Sequence, residues 1–153
     1  MSDLLARLGG RTDCEVFLDF ETFYASDYSL TKLTTEGYVR DERFETIGVG
    51  VAVGSGSPVW LEEWDFRRWA ERVDWKRVAL VTHHAQFDGF ILSERYGIRP
   101  GFHHCTMSGG RALHGEGALE KLARRYGLGE KGDAIKQGTT KGKRRADLTQ
   151  RQW

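Results

Sequence analysis

Between Ile47 and Gly54 the chain alternates without a break: Ile47, Val49, Val51 and Val53 on one side, Gly48, Gly50, Ala52 and Gly54 on the other. Side chains of an extended chain reverse direction at every residue, so this is a strand with one bulky face and one flat face. The flat face lets a helix or a neighbouring backbone approach closely. A second segment, Val16-Phe17-Leu18-Asp19-Phe20, is nearly all apolar, as a strand covered on both faces should be. Gly54-Ser55-Gly56-Ser57 is a turn and Pro58-Val59-Trp60-Leu61 begins a short strand, which predicts an antiparallel hairpin. Val78-Ala79-Leu80-Val81 supplies another short strand.

Between and after these strands the period changes to that of a helix. Phe66, Trp69, Ala70 and Val73 share one face, with Asp65 as a cap. Phe87, Phe90 and Ile91 open a helix that closes near Gly97 and Pro100. Leu119, Leu122, Ala123 and Tyr126 form a third stripe, ended by Gly127. This order predicts an α/β sandwich, a mixed sheet with helices packed on it. A chain of 153 residues fits a single domain, 1–153, able to bury its own core.

Hydrophobic residues at 39% and charged residues at 29% are ordinary for a soluble globular chain. No apolar run is long enough for a membrane span, and Met1-Ser2-Asp3-Leu4-Leu5 is not a secretory signal. Cys14 and Cys105 are too few for a disulfide framework, so a reducing, cytoplasmic compartment is expected. The formal net charge of +1 hides an asymmetry. Residues 131–153 carry seven Lys or Arg against two Asp, a net of +5, and the other 130 residues a net of −4. A basic end on an acidic body fits a polyanion contact at one edge, or a solvated tail. Residues 129–153 are read as that tail, flexible because glycines and like charges bury little.

The segment richest in chemistry is Phe17-Leu18-Asp19-Phe20-Glu21-Thr22. Asp19 and Glu21 lie on one face of a strand end, their backbones roughly 6.6 Å apart. That suits two carboxylates sharing a pair of divalent ions about 3.5–4 Å apart. Alternatively, one acid is an edge residue and the other caps the next segment. His83-His84-Ala85-Gln86-Phe87-Asp88 follows a core strand and opens a helix, and sites of open α/β sheets gather at such strand ends. Asp88 near the positive end of the helix dipole could equally serve only the helix start.

Together the two segments resemble the DEDD-type 3′–5′ exonuclease superfamily, of the ribonuclease H-like fold. Asp19-Phe20-Glu21-Thr22 is similar to its first motif, Asp-x-Glu-Thr. His84-Ala85-Gln86-Phe87-Asp88 is similar to its second, Asn-x-x-Phe-Asp, with His84 in place of Asn. Tyr28 to Lys32, Tyr38, Phe44-Glu45, Cys105-Thr106-Met107, Leu119 to Ala123 and Tyr126-Gly127-Leu128 extend the likeness to the proofreading exonuclease domains of phage family A-like DNA polymerases. The third motif, Tyr or His, three residues, then Asp, has no match. Asp133 is preceded at four positions by Gly129 and Asp147 by Lys143. On the resemblance, this reads as a mixed sheet of about five strands, one of them antiparallel, cut off before the last helix.

The resemblance implies a two-metal phosphodiesterase using Mg²⁺ or Mn²⁺ on single-stranded DNA 3′ ends. Asp19 would bridge both ions, Glu21 would hold the water-side ion and Asp88 the outer one. Thr22, Phe23 and Tyr24 would contact the terminal nucleotide, with His84 and Phe87 beside it. Phe23 and Tyr24 could equally be packing at a strand end. Lys141, Lys143 and Arg144 would steer the phosphate backbone, with Lys131, Lys136 and Arg145. A polymerase domain or replication proteins would be partners, in the host cytoplasm if the chain is phage-encoded. Without the third motif, weak or absent activity is expected. Two other readings stand beside it. One is an inactive DNA-binding or interaction module. The other is a zinc hydrolase built from His83, His84, His103, His104 and Cys105, which adjacent histidines on opposite strand faces disfavour.

Overall fold

The computed structural model describes residues 15–128 and 140–148. Its elements are β1 (Glu15–Thr22), α1 (Thr35–Arg40), β2 (Thr46–Val53), β3 (Val59–Leu61), α2 (Glu63–Ala70), β4 (Ala79–Thr82), α3 (Ala85–Tyr96), β5 (Phe102–Cys105), α4 (Thr106–His114) and α5 (Leu119–Arg125). Among the described residues no helix is long and apolar enough to cross a membrane. The strands form one sheet in the order β3-β2-β1-β4-β5. β2 runs antiparallel to β1 and β3, whereas β4 is parallel to both β1 and β5. The predicted mixed α/β sheet and hairpin are therefore present.

Along β1 the even positions Val16, Leu18, Phe20 and Thr22 are buried, while Glu15, Phe17 and Asp19 are exposed. The expectation of a strand covered on both faces is thus corrected. One face carries the core, and Phe17 on the other remains 40% exposed. The core joins α2 and α3 to the buried face. The Phe66 ring meets Phe20 edge-on at 5.4 Å and Tyr96 at 5.0 Å. Trp69, Leu80, Ile91 and Leu92 are fully buried around them. Burying each such side chain contributes about 1.5–3 kcal/mol.

Local chemistry sets the helix ends. Gly97, at φ 68°, closes α3 in the left-handed conformation that glycine adopts without steric cost. α2 begins after Glu62 and ends at Ala70, so Asp65 lies in its first turn rather than at the cap, and Val73 lies beyond it. Three elements lay outside the sequence reading: α1, β5 and α4. They are six, four and nine residues long, too short or too glycine-rich to show a period. α1 starts where the Thr34 hydroxyl accepts the Gly37 N–H at 3.1 Å.

Candidate active site

The ladder between β1 and β4 pairs Glu15 to Phe17 with Ala79 to Val81. Past that point β4 turns through His83 and His84 into α3. The two strands part like a fork, and the first turn of α3 fills the gap. Asp88 Oδ1 accepts the Phe20 N–H at 3.2 Å, taking the place that a partner strand would hold. Asp88 is 3% exposed. Burial pushes its carboxyl up to about 7, and the neighbouring Asp19 charge pushes it the same way, against the lowering effect of the Phe20 N–H. The two acids therefore share one locality at the carboxyl end of β1.

Asp19 lies opposite Gly50, and Glu21 opposite Gly48, on the exposed face of the sheet. The flat face of β2 admits a side chain rather than a helix or a backbone. A Cβ on Gly48 would stand 2.0 Å from Cζ2 of Trp60, which lies over it from β3. A cavity of about 300 Å³ at the end of β1 is lined by Asp19, Glu21, Thr22, Tyr24, Leu30 and Phe87, among others. Asp19 also borders a groove of about 390 Å³ on the exposed sheet face, between Phe17, Ala52, Val81 and Leu119. It stands at the junction of the two.

A chain of aromatic rings supports the cavity floor. Tyr28 stacks on Tyr38 at 4.4 Å, and Phe23 stacks on Tyr28 at 5.9 Å. Phe87 meets Tyr38 at 6.0 Å, and the His84 ring stacks on Phe87 at 6.2 Å. The Tyr38 hydroxyl donates to the Phe23 carbonyl, so the Thr22 hydroxyl, 2.8 Å away, donates to Tyr38. Burial, and then the Glu21 charge, raise the Tyr38 pKa, keeping it a neutral donor. Sequence reasoning had Tyr28 and Tyr38 only as points of resemblance, because partners ten residues apart leave no local period. Leu30, too, entered only within the Tyr28 to Lys32 resemblance and was given no place at the site.

Of the residues expected at the site, Asp19, Glu21, Thr22, Tyr24 and Phe87 line one cavity, with Asp88 behind it. His84 is the residue before α3 and meets the helix through its backbone carbonyl, with no side-chain cap. Phe23 is buried, and the Arg144 guanidinium covers its ring at 4.4 Å, so its faces are occupied by protein. Arg144 is itself paired with Glu45 at 2.7 Å. Lys141 is exposed and Lys143 half-buried on the same segment. Lys131, Lys136 and Asp133 lie outside the described residues.

The donor set decides what the site could hold. A buried carboxyl whose proton affinity is raised by burial and by a neighbouring carboxylate favours a hard cation beside it. Yet among the described residues no group of three or more His, Cys, Asp or Glu converges on a metal-sized volume. Asp19, Glu21 and Asp88 are not grouped as a cation cage among the described residues, and Asp19 is the acid whose charge acts on Asp88. The histidines are separated too. His83 Nδ1 lies 2.9 Å from the Thr106 hydroxyl, and His103 Nε2 lies 3.0 Å from the Thr82 hydroxyl. The zinc arrangement of His83, His84, His103, His104 and Cys105 is not formed among the described residues.

No known protein-family profile matches the sequence, and no curated protein matches it either. Solved structures do resemble the fold. The catalytic core of RRP6 from Trypanosoma brucei superposes with a TM-score of 0.60 at 14% identity, over 86% of this chain and 33% of that one. NrnC from Brucella melitensis superposes with a TM-score of 0.62 at 16% identity, over 93% of this chain and 64% of that one. The chain thus spans about a third of the first and under two thirds of the second. At these identities the likeness is one of fold, and that fold is the ribonuclease H-like α/β arrangement of a five-stranded mixed sheet flanked by helices.

Proposed function

We propose that this chain is a 3′–5′ exonuclease domain acting on single-stranded nucleic acid, with DNA as its substrate and proofreading beside a polymerase as its setting. The observation that carries the reading is Asp88: a buried carboxyl, bonded to the Phe20 N–H beside Asp19, at the strand end where this fold gathers its chemistry. It is supported by the fold likeness to the RRP6 catalytic core and to NrnC.

Asp19 and Asp88 would hold a divalent cation, Mg²⁺ or Mn²⁺, with Glu21 and a second ion completing the expected pair. When bound, such ions supply a Lewis acid for water and phosphate. The chain's own residues do the rest. Phe20 fixes the Asp88 carboxylate through its N–H. Tyr24, Leu30 and Phe87 give the terminal sugar and base an apolar, aromatic wall. Stacking on such a wall is worth about 1–3 kcal/mol per base. Thr22 and Tyr38 keep the strand end rigid through their shared hydroxyl bond.

The test gives the chain 3′-labelled single-stranded DNA and RNA with Mg²⁺, Mn²⁺ or chelator. The expected result is weak, cation-dependent mononucleotide release from DNA, in keeping with the unmatched third motif, which Asp19→Ala or Asp88→Ala reduces to the level seen with chelator. The unassembled three-acid group favours one second reading, an inactive nucleic-acid-binding module. Tight binding without cleavage would select it. Neither binding nor cleavage would overturn both.

A further inference from the structure

Residues 140–148 lie as a strap against Tyr24, a wall residue of the cavity that Asp19 and Glu21 line. The Gly142 N–H donates to the Tyr24 carbonyl at 2.8 Å. The Tyr24 and Thr140 hydroxyls lie 3.3 Å apart. Beyond them the strap is held by charge. Arg144 spans the Phe23 ring and reaches Glu45 Oε2 at 2.7 Å. The Arg145 N–H donates to Glu45 Oε1 at 2.9 Å, and its guanidinium pairs with Glu62. Glu45 thus engages both arginines, one through each oxygen. Tyr24 belongs both to the cavity wall and to the strap's seat.

We propose that this strap is a phosphate-operated latch. Glu45 and Glu62 hold Arg144 and Arg145 while no polyanion is present. The phosphodiester backbone of a single-stranded nucleic acid reaching the cavity takes the two guanidiniums over and lifts the strap from Tyr24. The inference rests on the nucleic-acid reading above and adds the device that admits the strand.

Three observations carry it. A guanidinium fork binds carboxylate and phosphate with the same geometry, so exchange needs no new shape in the arginines. Both pairs are solvent-accessible, with Arg144 and Arg145 side chains 47% and 42% exposed. Exposed pairs are weakly held, so a run of phosphates can outcompete them. The strap also carries Lys141 and Lys143 against Asp147 as its one acid. It is therefore drawn toward a polyanion once its two arginines are released.

The experiment follows hydrogen exchange of the Gly142 amide in the full chain, free and with a ten-residue oligothymidylate, with binding read by fluorescence anisotropy. Glu45→Gln removes the charge paired with the Arg144 guanidinium while leaving the Glu45 carbonyl, which accepts the Phe23 N–H, in place. Its exchange should rise about fivefold without nucleic acid, the scale of one exposed ion pair. Oligothymidylate should produce a rise of the same order in the wild type. Unchanged exchange in Glu45→Gln with an unchanged melting curve would overturn the latch. So would oligothymidylate that binds while Gly142 stays as protected as in the free protein, and that result leaves the nuclease reading standing. Failure of oligothymidylate to bind either protein would overturn the nucleic-acid reading and the exchange with it.

Discussion

Ionising Asp88 without a cation costs free energy, because its carboxyl is buried and faces the charge of Asp19. Its folded pKa of about 7 lies above that of an unfolded aspartate, about 3.9. Between those values the folded state binds more protons than the unfolded one, so stability falls as pH rises from about 4 toward 7. Above that range both states are ionised and the loss is complete. Its size is on the order of 2–4 kcal/mol. Thermal melts in chelator should therefore decline from pH 5 to pH 8 in the wild type. Asp88→Asn keeps an acceptor for the Phe20 N–H and removes the ionisation, so its decline should be much shallower and its melting point at pH 8 higher. Parallel curves for the two proteins would refute this. Added Mn²⁺ should raise the wild type at pH 8 and leave the variant unmoved.

At the scale of elements, β2 and the loop after β1 build the site jointly. Gly48→Ala drives a Cβ to 2.0 Å from Trp60 in the unrelaxed structure, so the ring must move. A loss of about 1–3 kcal/mol is expected from denaturant midpoints, the usual cost of overpacking. Tyr38→Phe removes the donor to the Phe23 carbonyl and the acceptor for Thr22. Buried groups left unpaired cost about 1–3 kcal/mol each, so the midpoint should fall by at least the lower figure. Adding Thr22→Val should cost less in Tyr38→Phe than in the wild type, because one of the orphaned groups has gone. The alternation of β2 and the acids of β1 were legible in the sequence because a period of two speaks for itself. The aromatic chain from Phe23 to His84 was not, because its partners come from the loop after β1, from α1 and from the start of α3. Nor was the seat of Arg144, 99 residues from Glu45. Contacts that tertiary structure alone brings together leave no trace in spacing.

Across the whole molecule, the sheet has one sealed face and one partly open. Leu18 and Phe17 are neighbours in sequence and lie on opposite sides of that divide, at 4% and 40% exposure. Leu18→Ala should cost about 2–5 kcal/mol, the usual price of a cavity in a core. Phe17→Thr should cost well under half as much by the same denaturant measurement. Equal losses would mean that the groove beside Asp19 is covered in solution.

The fork between β1 and β4 has an evolutionary side. One carboxyl both closes the fork and serves the proposed chemistry. Asparagine can keep the first role and abandon the second, and it escapes the penalty of a buried charge. A lineage freed from selection for catalysis therefore has a one-step, downhill path to a sturdier and inert descendant. Persistence of the acid at position 88 among relatives would then record continuing use, since stability alone favours its replacement.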